Sequence, residues 1–336
     1  MDNVADTQLV RRRILPIAIA ICLGVGLNGV ASIGRAEDYP QKELTFVVPG
    51  TAGGGMDVIA RVVADRLSKD LGQPIVVENK PGAGGNIAVD YVAKSEPDGY
   101  TILVGQTAHF SINPSLYDNL AFDPAKDFSP IALLANAPNV VVVPKGSPIK
   151  NVAELIAVAK EKNGAMTLAT PGNGTVSHLT GELLQQTADI HLNHIPYKGA
   201  AAALVDVVGG RIDFMLSSIP TALSQIRAGA LRPIAVSADR RSPTLPEVPT
   251  IEEQGYPGFN AGTWYGLFAP AGTDPSIIKK LNAAIAVALQ NEEVLKRIVD
   301  EGGDAMSKTP EEFGAMVKSD SEKWSKLIAT AGITLQ

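Results

Sequence analysis

The feature that most restricts what this chain can fold into is a plan that occurs twice: a short apolar run, a glycine-rich loop, then an amphipathic helix. The first copy is Leu44 to Val48, the loop Gly50 to Gly55, and a helix with Ile59, Val62, Val63 and Leu67 at helical spacing that stops at Gly72. The second is Met166 to Thr170, the loop Pro171 to Thr175 and a helix Val176 to Thr187. Around them, strand-like runs (Pro74 to Glu78, Tyr100 to Val104, Leu192 to Ile195, Ile212 to Leu216, Leu231 to Val236) alternate with helical patterns at Asn86 to Lys94, Val152 to Lys160 and Ala200 to Val208. Such alternation predicts an α/β protein with parallel sheets, built here as two lobes. His109 to Phe128, with Pro114 and Pro124, reads as irregular, and the apolar run Ile131 to Val143 is too long for one ordinary strand and is broken by Asn136-Ala137-Pro138. That run suits a crossing between lobes. Pro243, Pro246 and Pro249 mark a connector, Thr263 to Ala269 a strand running back, and Ile277 to Leu289 and Pro310 to Thr330 the closing helices.

The first 36 residues read as an export signal rather than part of the fold. Arg11, Arg12 and Arg13 precede the apolar run Ile14 to Val30, and small residues follow up to Ala36, the expected cleavage point. A membrane anchor fits less well, because the run contains Pro16 and Asn28 and falls short of the about 20 apolar residues of a spanning helix. The arginines leave the export route open between the general secretory and twin-arginine systems. The single cysteine, Cys22, lies inside this segment, and Ile21 before it spoils a lipid-attachment motif. Cleavage therefore leaves no disulfide and no thiolate. The formal charge of −6 disfavours nucleic acid and anionic membrane surfaces as partners, and the arginine-rich leader makes the remainder more acidic still.

An acidic chain can still hold an anion where backbone N–H groups converge. In open α/β sheets ligands bind beyond the carboxyl ends of strands, where both glycine loops lie. In the first loop glycine lets a ligand approach the backbone, the following helix offers unpaired N–H groups, and Thr51 adds a hydroxyl; a bare connector is the alternative. In the second, Thr175 or Ser177 serves as helix cap or ligand contact, and His178 reads first as structural. Gln106 and Thr107, at the end of the third strand, face the same crevice, whereas the glycines of Asn79 to Asn86 read as a turn. Catalysis finds no support. The glycines do not form a dinucleotide fingerprint, despite Glu78 on the second strand, and there is no P-loop lysine or nucleophile elbow. His191 and His194, three apart in a strand, point to opposite faces, so no metal site and no cofactor is expected.

The segments FVVPGTAGGGMDVIAR (46–61), VVENKPGAGGNIA (76–88), PDGYTILVG (97–105), INPSLY (112–117), HIPYKGAAAALVDVVGGRIDFM (194–215) and WYGLFAPAGT (264–273) make the chain resemble the Bug, or TctC-type, extracytoplasmic solute receptors of tripartite tricarboxylate transporters. The resemblance covers essentially everything after the leader. It implies a two-lobed periplasmic binding-protein fold with two crossing strands (type II), lobe 1 being 37–140 plus 259–336 and lobe 2 being 141–258. It implies a periplasmic, monomeric protein without catalytic activity. Such a protein captures a small organic carboxylate, a di- or tricarboxylate or an aromatic acid, by lobe closure and hands it to integral-membrane transporter subunits; a ligand-sensing subunit of a signalling system is the alternative. Carried over residue by residue, Thr51, Gly53, Gly54, Gly55, Asp57, Gln106 and Thr107 fall on the lobe 1 side of the cleft, and Gly174, Thr175, Ser177, His178 and Tyr197 on the lobe 2 side. Two departures stand out. Ala52 and Gly55-Met56 replace the usual proline and hydroxyl residue, so Met56 is expected as an apolar wall and highly charged tricarboxylates are less favoured. Ala200 to Ala203 stand where a proline is usual, enlarging the cavity or packing the helix.

Overall fold

The computed structural model describes residues 39–334; the expected signal, its cleavage point at Ala36 and Cys22 lie outside the described residues. The chain runs through β1 (Leu44–Val48), α1 (Gly55–Leu71), β2 (Ile75–Asn79), α2 (Asn86–Ala93), β3 (Thr101–Gln106), α3 (Asn113–Leu116) and β4 (Phe128–Pro144). It continues with α4 (Val152–Lys162), β5 (Thr167–Thr170), α5 (Val176–Ala188), β6 (Asn193–Pro196), α6 (Ala200–Val208), β7 (Phe214–Ser218), α7 (Ile219–Arg227) and β8 (Leu231–Val236). β9 (Gly262–Pro270), α8 (Pro275–Ala288), α9 (Glu292–Asp300), β10 (Asp304–Ala305) and α10 (Pro310–Ala331) complete it.

The strands are ordered β2-β1-β3-β9-β4-β7-β5-β6, with β8 and β10 also on β4. β1, β2 and β3 are parallel, as are β5, β6 and β7, and each set meets an antiparallel strand. The long apolar run is one strand after all. From Phe128 to Pro138 β4 pairs with β9, and from Asn139 to Pro144 with β7 and β8, so this strand passes from one lobe's sheet into the other's. Register shifts at Pro130/Ala132 and Leu133/Ala135 supply the bend, as bulges do. At the changeover Pro138 has no N–H to offer, and Asn139 is tied down instead: its N–H donates to Ser237 Oγ (3.0 Å) and its side-chain amide to Thr180 Oγ1 (3.2 Å).

Two expectations change. The stretch after His109 is irregular only from Tyr117 to Asp127, because a wide helical turn at Ala108–Ile112 runs into α3, and Phe110, Phe122 and Phe128 enter the core. α7 and α9, nine residues each, are two helices that the sequence pattern did not give. The aromatic core of the first half also explains two glycines. Gly105 and Gly266 face each other across β3 and β9, and a methyl on Gly105 would stand 2.6 Å from Phe110 and 2.7 Å from Phe268. Only bare backbone lets these rings, stacked at 3.9 Å, lie on the sheet.

α10 opens on a full capping box, Thr309 with Glu312, behind Pro310 and stops at Gly332 in the left-handed conformation. Its first half packs Phe313, Met316 and Val317 onto the aromatic core, and its second half sends Trp324, Leu327 and Ile328 into the core that holds Leu155, Leu168 and Phe214. A single helix thus contributes to both cores.

Candidate functional site

β1 delivers the chain into the loop Pro49 to Gly54 at its carboxyl end, and α1 begins with no side-chain cap. Gly53 takes φ 82°, a turn that any side chain would strain. Thr51, Ala52, Gly53 and Gly54 are exposed. Among the described residues the amides of Thr51, Ala52, Gly55, Met56 and Asp57 have no acceptor, and the Thr51 hydroxyl has no partner. Several donors at a helix N-terminus, with no Cβ over them, make a cup that suits an anion.

Asp57 supports this cup from below. It is only 3% exposed, and its two oxygens take four donors: Gly53 N–H (2.8 Å) and Arg61 Nε (3.0 Å) on Oδ2, Asn79 Nδ2 (3.0 Å) and an Arg61 terminal nitrogen (3.0 Å) on Oδ1. Burial alone would raise its pKa, but the bonds from Arg61, Gly53 and Asn79 outweigh that and hold the carboxyl below its ordinary range. Asn79 also donates to Gly50 O (3.1 Å), so both ends of the loop hang on one network. Asp57 therefore shapes the loop rather than presenting oxygens to a ligand, and the Gly53 amide is spent on it. Met56 corrects an expectation as well. It is buried, with its methyl 3.3 Å from where a Cβ on Gly50 would be, and so lies under the loop instead of walling the cleft.

Thr107 is fully buried. Its hydroxyl donates to Gly262 O (3.3 Å) and accepts from Trp264 N–H (2.9 Å), stitching β3 to the start of β9. Gln106 is half-buried, with no side-chain partner among the described residues, and pairs across the sheet with Tyr265. Tyr265 and Glu301 stand beside the start of α1, and the sequence pattern singled out neither for the site: a methyl on Gly55 would stand 4.0 Å from the Tyr265 hydroxyl and 3.2 Å from Glu301 Oε2. Burial and the Glu301 charge push the Tyr265 phenol up to about 12, so it stays a donor. Only the strand pairing and the α9 corner bring these positions to α1: Tyr265 lies in the quoted segment 264–273, but nothing local ties it or Glu301 to the first loop.

The second loop is more self-contained. Thr175 caps α5, accepting from His178 N–H (3.3 Å) and donating to Gly172 O (2.8 Å). Gly174 N–H donates to His178 Nδ1 (3.1 Å), which fixes the neutral tautomer with its proton on Nε2, toward Glu182 (3.5 Å). The His178 ring stacks on His194 at 4.0 Å, and Thr170 Oγ1 lies 2.6 Å from His194 Nε2. Burial and, after it, the neighbouring His178 pull the His194 pKa down to about 4. Ser177 Oγ donates to Asn139 Oδ1 (3.2 Å), the junction residue of β4. The Tyr197 hydroxyl is bound to Asp206 (2.6 Å), which Arg211 also holds. Thus Thr175, Ser177, His178 and Tyr197 build the loop and its neighbours, and their polar side-chain atoms are taken up inside the protein. Ala203 is buried and Ala200 half-buried against the same core while Ala201 and Ala202 are exposed, so this run packs its helix at two of four positions.

Two α/β halves joined by a crossing strand, with glycine loops at the ends of β1 and β5, define a two-lobed periplasmic binding protein. The model of the tripartite tricarboxylate transporter family receptor matches residues 59–333, and the chain belongs to that family. Protein BugT of Bordetella pertussis is 36% identical over 313 residues, covering 93% of this chain and 96% of its own. Among solved structures, R. palustris Rpa4515 with adipate is 35% identical at a TM-score of 0.74, covering 89% of this chain and 100% of its own. MatC from Rhodopseudomonas palustris with bound malate is also 35% identical, at a TM-score of 0.69, covering 86% and 100%.

Proposed function

We propose that this chain is a periplasmic receptor that captures a small organic carboxylate between its lobes and passes it to the membrane subunits of a tripartite transporter, without chemical turnover. The observation that carries the reading is the uncapped start of α1, with unpaired amides under exposed glycines and the Asp57–Arg61–Asn79 network fixing the loop from behind. The adipate and malate of two relatives at 35% identity support the ligand class. The anchoring carboxylate meets Thr51, Gly54, Gly55 and Gln106, with Gly53, Asp57 and Thr107 holding the loop and strand that present them. Gly174, Thr175, Ser177, His178 and Tyr197 shape the opposing wall. Lobe 1 spans 37–140 plus 259–336 and lobe 2 spans 141–258, after removal of the signal at Ala36, and the receptor acts as a monomer. The ligand stabilises the closed form by its differential affinity for it, and the transporter reads that form.

Calorimetric titration with mono-, di- and tricarboxylates tests this, together with Gly54→Leu. Gly54 has φ −77°, and a Cβ there would rest 3.5 Å from Thr51 O, an ordinary contact, so the variant folds. Its side chain stands over the amides, and carboxylate binding is expected to vanish. Unchanged affinity would show that the anion is held elsewhere.

A further inference from the structure

Glu301 closes α9, and Gly302, at φ 69°, turns the chain into β10. This corner is held firmly: Gly302 N–H donates to Val299 O (2.9 Å) and Gly303 N–H to Ile298 O (2.9 Å). A methyl on Gly302 would stand 2.5 Å from Pro220, in the first turn of α7, so the corner is wedged where the first half of the fold meets the second. Thr244 Oγ1 donates to Val299 O (3.1 Å) and Arg240 pairs with Asp304 (2.5 Å) across the same seam. The Glu301 side chain leads from here to the N-terminus of α1, with Oε2 3.2 Å from the position of a Gly55 Cβ. Among the described residues it has no basic partner and no hydrogen-bond donor.

A carboxylate anchored on α1 is thus brought close to a second carboxylate, whose charge meets no basic side chain among the described residues. Like charges that share a partly desolvated site repel strongly, and a plain acid has no group to relieve this. An ammonium or hydroxyl on the carbon next to the anchoring carboxylate changes the balance, since Glu301 then accepts a hydrogen bond. Tyr265 faces the same point, its hydroxyl 4.0 Å from the position of a Gly55 Cβ.

We propose that Glu301 sets the specificity of the anion site, selecting carboxylates with a proton donor on the α carbon over those without one. This rests on α1 being the anchor. The test is calorimetric titration of wild type, Glu301→Gln and Gly54→Leu with matched acids of three to six carbons, each with and without an α-hydroxyl or α-amino group, plus one such aromatic pair. Wild type is expected to prefer the donor-bearing member of its best pair by about tenfold or more, the scale of one hydrogen bond to a charged acceptor. Glu301→Gln, at unchanged urea midpoint, should abolish the preference by tightening the plain acid. Equal affinities in wild type, or a ratio unchanged in Glu301→Gln, would overturn the role of Glu301 alone. Failure of every acid to bind wild type, or binding that survives Gly54→Leu, would overturn the anchor beneath it.

Discussion

Asp57→Asn is a one-atom change with a cost that the geometry makes calculable. All four partners of the carboxylate are donors, two on each oxygen. An amide has one oxygen and one NH2 group, so either orientation keeps two bonds, breaks two and sets N–H against N–H. One broken bond always belongs to Arg61, whose side chain is 50% exposed and can turn to water, so its loss costs about 0–1 kcal/mol. The other belongs to Gly53 or Asn79 and is a bond to a charged acceptor, worth about 1.5–3 kcal/mol. The sum is about 1.5–4 kcal/mol, to be read as a drop in the urea midpoint at unchanged slope. Carboxylate affinity should fall as well, because the loop that shapes the anion cup loses its anchor. The depressed pKa gives a second readout. The unfolded chain binds this proton more readily, so the stability from Asp57 is complete above the ordinary carboxylate range and is lost as pH falls through the lower folded value. A variant within about 0.5 kcal/mol of wild type, the scale of an ordinary surface substitution, would refute the network as the support of the loop.

Two further outcomes follow from the packing. Trp324 is fully buried in the core that α10 shares with the second half, and Trp324→Ala should cost about 3–5 kcal/mol by urea unfolding; a loss below about 1 kcal/mol would mean that this end of α10 is not seated there. His109 and His194 both have pKa values drawn from the ordinary 6.5 to about 4, mainly by burial, and are neutral in the fold. The unfolded chain takes up protons between those values, so stability holds above about pH 6.5 and falls as pH drops toward 4. A His109→Gln/His194→Gln variant should flatten that fall, and an unaltered pH profile would contradict the assignment.

The difference between what was legible and what was not has a local reason. β8 and α6 have the bounds that the residue pattern gives, because patterning and turn residues act over a few positions. The short helices α7 and α9 were missed although α6, of the same length, was not, and α9 is what brings Glu301 to the site.

By itself the sequence determined the two strand–loop–helix units, the glycine loops at strand ends and the place of a crossing segment. Each is written in contiguous residues through propensity, periodicity and turn chemistry. Only the tertiary structure decided which polar groups remain free. Asp57, Thr107, Ser177 and Tyr197 look like ligand contacts in one dimension, yet their side chains are hydrogen-bonded to Gly53, Trp264, Asn139 and Asp206. Tyr265 and Glu301, which nothing local ties to the first loop, stand beside the amides of α1. A hydrogen bond is shared by two groups, and the second is named by the fold, often from far along the chain.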